Sequence, residues 1–240
     1  MSGNPLSPIQ QSLGAFLVRR AGISVPDYFD DPVAEHVATR RSVGLFDLTS
    51  AGKLRVEGSE RVRFLQALLS SDLSRLSPGQ GCQTLLLTPA GKVASLLRLV
   101  VFDDHVLVLA PSITRAKVLR TLRDLVAASD VTLTDVTATH VLLSLQGSAS
   151  DHVARRALGV EPSAELRAFG GETVSTPNHG RVTFVRSPRS GELGLDLLLH
   201  VDRAASVYRE LLAAVQDADG APAGLRALDS LRIETGLPAY

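Results

Sequence analysis

From Lys53 to Gly58 the chain reads KLRVEG, polar and apolar residues alternating before a glycine, which predicts a strand with one solvated face. The spacing then lengthens. Val62, Leu65, Leu68 and Leu69 recur at helical intervals, and Ser59 stands where it can cap the helix they predict. After the loop LSPGQG, the stretch CQTLLLTPAGKVASLLRLVVFDDHVLVLAPS holds three apolar runs split by Pro89-Ala90-Gly91 and Asp103-Asp104, the pattern of a meander. Ser112 opens a second helical segment that runs to about Ala127, and VTLTDV closes the unit as a strand. Residues 53–136 therefore predict the order β-α-β-β-β-α-β.

A similar order returns. His140 to Gln146 reads as a strand, Ser150 to Leu158 as a short helix, and Arg181 to Val185 with Gly194 to His200 as a strand pair. A helix capped by Asp202 follows, to about Asp217. The last segment, GLRALDSLRIETG, places Leu225, Leu228, Leu231 and Ile233 near one helical face, and Gly236-Leu237-Pro238 ends it. The two halves share an element order and no obvious identity. The predicted fold class is α+β: two interleaved β-α-β-β-α-β-like units with helices packed on mostly antiparallel sheets.

Composition narrows the class. A chain of 240 residues suffices for one large domain or two small ones. No run approaches the roughly 18 to 20 apolar residues of a membrane span. The start, MSGNPLSPIQQSLGAFLVRRAG, lacks the basic opening and apolar block of a signal peptide, so the expectation is a cytoplasmic protein with no membrane partner. Cys82 is the single cysteine, which excludes an intrachain disulfide and a Cys-rich metal cage. Basic and acidic residues balance at 25 each, so no global field gathers nucleic acid. The 22 arginines are scattered among acids. No phosphate-binding glycine loop, H-E-x-x-H or G-x-S-x-G is present, and the six histidines show no metal-ligand spacing, so each reads as structural or surface.

One stretch stands out, SGELGLDLLLH from Ser190 to His200. Its carboxylate Glu192 lies between Gly191 and Gly194 at the mouth of a leucine-rich strand. An isolated G-x-x-G of this kind is a polar turn or the rim of a ligand site, and the local residues leave both open.

Four segments in fixed order, VGLFDLTSAGKLRVEG (43–58), RFLQALLSSDLSRLSPGQG (63–81), SGELGLDLLL (190–199) and GLRALDSLRIETGLPAY (224–240), together resemble the folate-binding aminomethyltransferase superfamily. That group includes the glycine-cleavage T-protein and the YgfZ-type folate-binding proteins. The resemblance implies a discontinuous domain of residues 1–52 and 137–240, with an α+β domain of residues 53–136 inserted, around a central pocket for tetrahydrofolate or a 5-substituted derivative. It implies that Glu192 accepts hydrogen bonds from the pterin, that Asp196, the second acid of the motif, and Ser95 also belong to the folate-binding residues, and that the flanking glycines let a flat ring approach. Arg232 matches the arginine of the terminal L-R-x-E motif, a partner for a folate carboxylate or a member of an ion pair, and Glu234 its acid.

Departures from the T-protein pattern bear on activity. At its paired acids stand Ser95 and Leu96, which can neither steer a proton nor stabilise positive charge on the departing amine, so aminomethyl transfer is expected to be impaired or lost. Gln83 replaces an aromatic, and Pro111 stands near an expected Asn. The segment GKVASLLRLV is similar to the YgfZ-type form, which implies a folate-dependent helper of iron-sulfur enzymes, with iron-sulfur client proteins as partners. The K-G-C-Y-x-G-Q-E motif of that group is not reached before Tyr240. Either a third, smaller barrel domain belongs to a longer protein or this is a shortened paralogue. Cys82 reads as a core residue and not as that motif's cysteine. Two further readings stay open: a transferase or demethylase that draws its acid from another position, and a vestigial pocket serving as a protein-interaction scaffold.

Overall fold

The structure is a computed structural model, describing residues 3–126 and 130–239. Helix α1 (Ser7–Ser12) and the hairpin β1 (Phe16–Arg20) to β2 (Ile23–Tyr28) precede α2 (Pro32–Arg41) and β3 (Gly44–Asp47). The middle of the chain forms β4 (Gly52–Glu57), α3 (Arg61–Gln66), β5 (Gly81–Leu87), β6 (Val93–Val101), β7 (His105–Ala110), α4 (Arg115–Val126) and β8 (Thr132–Asp135). The remainder forms β9 (His140–Gln146), α5 (Ser150–Leu158), β10 (Gly171–Thr176), β11 (Gly180–Arg186), β12 (Gly194–His200), α6 (Ala204–Asp217), β13 (Ala221–Ala223) and α7 (Leu225–Glu234).

Two larger sheets result. Strands β5-β6-β7-β4-β8 make an antiparallel sheet of five, and β10-β11-β12-β9-β3-β13 a sheet of six in which only the β13–β3 pair is parallel. The predicted α+β class with mostly antiparallel sheets is the observed one. The strand periodicity explains how the sheets stack. On β6, Leu97, Leu99 and Val101 face a core shared with α3 and α4, while the alternate Val100 joins Leu107 and Leu109 against the other sheet. On β12, Leu195, Leu197 and Leu199 pack with α5 and α6, whereas Leu198 meets the five-stranded sheet together with Leu142 and Val185. Helices thus cover both outer faces. Strands such as β9 and β12, buried on both sides, need the near-continuous leucine runs seen in HVLLSLQ and GLDLLLH.

Several local boundaries differ from those predicted. Ser59 does not cap α3. Its hydroxyl goes to Asp130, and the helix starts at Arg61 and stops at Gln66, short of Leu69. Helix α4 begins at Arg115 because residues 112–114 form a turn in which Thr114 N–H reaches the Pro111 carbonyl, and its predicted end at Ala127 lies outside the described residues. Asp202 sits inside a short 3₁₀ turn, Val201–Arg203, whose cap is His200, so Asp202 does not cap α6. Ile233 is 61% exposed, while Ala227 and Leu231 carry the buried face of α7. Among the described residues no helix is long and apolar enough to cross a membrane.

Candidate functional site

The gap between the two sheets holds a cavity of about 220 Å³. Gln83 on β5, Leu96 and Arg98 on β6 and Leu109 on β7 form one wall. Phe169, Pro188 and Arg189 come from loops of the six-stranded sheet, and Leu228, Arg232 and the segment 237–239 close the third side. Ala51 and Pro111 complete it. The lining is mostly apolar, with polar character concentrated in three guanidinium groups and one amide.

Strand alternation decides which side chains enter. Ser95 is fully buried on the helix side of β6, its hydroxyl 2.7 Å from that of Thr114, and it does not line the cavity. Leu96, one residue on, does. Of the two positions that the resemblance sets against an acid pair, the second alone therefore faces the cavity, and it is a leucine. Gln83 and Pro111 also stand in the wall.

Asp196 shares its face of β12 with Leu198, turned toward the five-stranded sheet, and has no exposed surface. Its carboxylate takes Arg189 Nε at 2.9 and 3.1 Å and Nη2 at 2.5 Å. Burial opposes its charge, but the field and hydrogen bonds of Arg189, the field of Arg98 and a bond from Ser144 outweigh it and hold the carboxyl below its usual range. The loop carrying Arg189 is pinned by Gln146, whose Oε1 accepts from the N–H groups of Arg189 (2.9 Å) and Ser190 (3.1 Å), while its Nε2 donates to the Ser187 carbonyl at 2.9 Å. Sequence inspection passed over Gln146, Arg189 and Arg98. The available signal was a charged residue inside a two-sided apolar strand, which burial never leaves without a compensating partner or function.

Glu192 is placed elsewhere. Its Oε1 accepts from Arg40 Nη1 at 2.8 Å, and Arg40 also binds Glu234 at 2.8 Å and the carbonyls of Ser190 and Leu231. His36 Nε2 lies 3.3 Å from Glu234. This cluster ties α2 to α7 and to the 190–192 loop, and Glu192 is absent from the cavity wall. The flanking glycines serve protein packing instead of leaving room for a flat ring. A Cβ at Gly191, where φ is +81°, would come within 2.5 Å of Thr235, and one at Gly194 within 2.3 Å of the Ser187 carbonyl. Glu192→Gln is expected to change unfolding free energy by less than about 1 kcal/mol, because the pair is partly exposed. Arg40→Met should cost roughly 2 kcal/mol, because the Ser190 carbonyl and the carboxylates of Glu192 and Glu234 lose their donor together. Urea denaturation of both variants checks the order, and equal losses would contradict it.

Arg232 is a member of an ion pair, one of the two roles the sequence left open, and it also stands in the cavity wall. It pairs with Asp229 one helical turn away (Nε to Oδ1, 2.6 Å), donates to the Leu237 carbonyl at 3.2 Å and lines the cavity. Cys82 is half-buried against the helix-side core, and burial pushes its thiol up.

Four of the six histidines, His105, His140, His179 and His200, meet in a second cleft of about 490 Å³. His140 and His200 stand edge to face at 5.5 Å, and His105, His179 and His200 each pair with an acid. Among the described residues no group of three or more His, Cys, Asp and Glu side chains is arranged to hold a metal.

With this geometry in view, comparison with known proteins is informative. The family model described as GCVT N-terminal domain matches residues 6–240. The aminomethyltransferase of Mycobacterium leprae (strain Br4923) is 34% identical over 238 residues, 98% of this chain and 63% of the relative. That of Mycobacterium tuberculosis (strain ATCC 25618 / H37Rv) is 33% identical over 237 residues with the same coverage. The chain thus spans 63% of the length of these relatives. Among solved structures, the glycine cleavage system aminomethyltransferase T from Bartonella henselae superposes with a TM-score of 0.87 at 27% identity, covering 99% of this chain and 63% of that one. A heterotetrameric sarcosine oxidase from Corynebacterium sp. U-96 shares the fold at a TM-score of 0.55 and 20% identity, covering 79% of this chain and 93% of that one. A match along nearly the whole chain, carried by a closely superposing fold, means that the protein belongs to the GCVT N-terminal domain family.

Proposed function

We propose that this chain binds tetrahydrofolate, or a 5-substituted derivative, in the cavity between its two sheets. One observation carries the reading. Ala51, Arg232 and the 237–239 segment, from the first and last of the family-like segments, converge there with Gln83 and Arg189, each within two residues of one of the other two. An apolar gap with a few convergent polar groups suits a flat heteroaromatic ligand. The relatives named aminomethyltransferase support the same ligand class.

Transfer of an aminomethyl group is the activity that those relatives suggest, and it places a demand on this cavity. Positive charge develops on the departing amine, and a carboxylate beside it lowers the barrier. Leu96 supplies none, so catalysis would have to draw on Asp196, whose oxygens are engaged by Arg189. The YgfZ-like alternative, a folate-binding helper of iron-sulfur proteins without transfer activity, is favoured by that same leucine and by the segment GKVASLLRLV.

Calorimetric titration with tetrahydrofolate tests binding. The native protein is expected to bind one equivalent, and Ala51→Trp, which fills the cavity, to bind none while keeping its circular dichroism. Unchanged binding in that variant would place the ligand elsewhere. Glycine-dependent turnover with the lipoyl carrier protein separates the two activities. Turnover that rises in Leu96→Asp supports the transferase reading, and none in either form supports the helper.

A further inference from the structure

Of the three arginines in the cavity wall, two are committed, Arg189 to Asp196 and Arg232 to Asp229. Arg98 is not. Among the described residues its side chain has no hydrogen-bond or ion-pair partner, and its Nε is enclosed with nothing to donate to. Burial, reinforced by the neighbouring Arg189 and only partly offset by Asp196, pulls its guanidinium down to about 9. The nearest carboxylate is already saturated, since Asp196 takes three contacts from Arg189 and one from Ser144. Arg98, Arg189 and Asp196 together leave one net positive charge beside a mostly apolar cavity whose third guanidinium, Arg232, is neutralised by Asp229.

A half-buried, unpaired guanidinium with an enclosed Nε is costly to keep, and replacing it with an apolar residue is the cheaper solution for stability alone. Its planar fork matches a carboxylate in two parallel hydrogen bonds, a geometry that lysine cannot reproduce. Gln83, paired across the ladder from Arg98 and also in the wall, adds an amide at the same place. We propose that Arg98 is a ligand-binding residue that fixes a carboxylate of the bound molecule against β6. Taken with the folate reading, on which this identification of the molecule rests, that group is the glutamate tail of the folate. The cavity is too small to enclose a whole folate, and its cationic end receives the acidic end of the ligand.

Four probes test this by calorimetry: tetrahydrofolate, p-aminobenzoylglutamate (the tail without the pterin), 6-methyltetrahydropterin (the pterin without the tail) and glycine (a small free carboxylate). Each is titrated into the native protein and into Arg98→Met and Arg98→Lys. The expected result is binding of p-aminobenzoylglutamate to the native protein, weakened at least tenfold in both variants. Pterin affinity should stay unchanged, and the melting temperature of Arg98→Met should be equal to or above that of the native protein. A merely structural role would lower that melting temperature and leave the tail fragment bound. Equal affinity of native and variant proteins for p-aminobenzoylglutamate overturns the inference. So does binding of tetrahydrofolate and the pterin without the fragment, although the folate reading then survives. Failure of tetrahydrofolate with Arg98-dependent binding of the fragment or of glycine does the reverse, retaining the carboxylate site and removing folate as its ligand.

Discussion

Asp196→Ala is expected to lower the unfolding free energy by roughly 3–5 kcal/mol, the range for removing one partner of a buried ion pair. The carboxylate is fully enclosed, and its loss leaves Arg189 beside Arg98 with no negative charge between them. Arg189 lies in the loop pinned by Gln146, so the damage should spread to residues 187–190. Asp196→Asn keeps the shape and part of the hydrogen bonding and should cost less. The folded-state carboxyl titrates below its unfolded value, so the contribution is present above about pH 4 and is lost as the pH falls through the folded value. Urea denaturation at pH 7 and at pH 3 measures both. A loss under 1 kcal/mol for the alanine variant would mean that the loop rearranges to hydrate Arg189.

Lys53→Met is expected to flatten a rise in stability with pH between about 7 and 10. Lys53 has no exposed surface, and its Nζ donates to the carbonyls of Thr49 at 2.7 Å and Ala51 at 3.0 Å, just behind the cavity. Burial, aided by Arg115 and resisted by Asp47 and Asp135, pulls the ammonium down to about 7. In the unfolded chain the proton is held to about pH 10.4. Between these values the unfolded state binds more protons than the folded one, so unfolding free energy climbs with pH, by on the order of 4 kcal/mol across the window. Arg98, held at about 9, adds to the climb only in the upper part, and the raised Cys82 thiol opposes it there, which leaves about pH 7 to 8 to Lys53. Urea midpoints taken at half-unit steps give the slope directly. Identical slopes in native and variant protein would show that Lys53 stays charged when folded.

Strand and helix periods lie in the residues themselves. The alternation in KLRVEG, the Pro-Ala-Gly and Asp-Asp breaks of the meander and the helical spacing in the last segment were legible because local packing geometry repeats every 2 or 3.6 residues. Caps were less legible. Ser59 and Asp202 had the right chemistry at plausible places, but Asp130 and His200 claimed the hydrogen bonds instead. The segment 190–200 shows the same limit at the site. Its two acids stand four residues apart, and nothing local says which one enters the gap. Tertiary contacts decide it. Arg40 of α2 draws Glu192 to the outer cluster, while the alternation of β12 turns Asp196 inward onto Arg189.

What the sequence alone determined, then, is the α+β class and the leucine-rich strands, because period and residue type suffice for these, whereas the expectation of an acid pair at Ser95 and Leu96 is implied by the family resemblance. Which side of β6 each of those residues faces, the gathering of four histidines in one cleft, and the isolation of Arg98 in the cavity wall were decided only by tertiary structure. Each depends on residues far along the chain, such as Arg189, which takes the Asp196 carboxylate and leaves Arg98 without it, and a side chain's surroundings are set by how sheets stack and not by its neighbours in sequence.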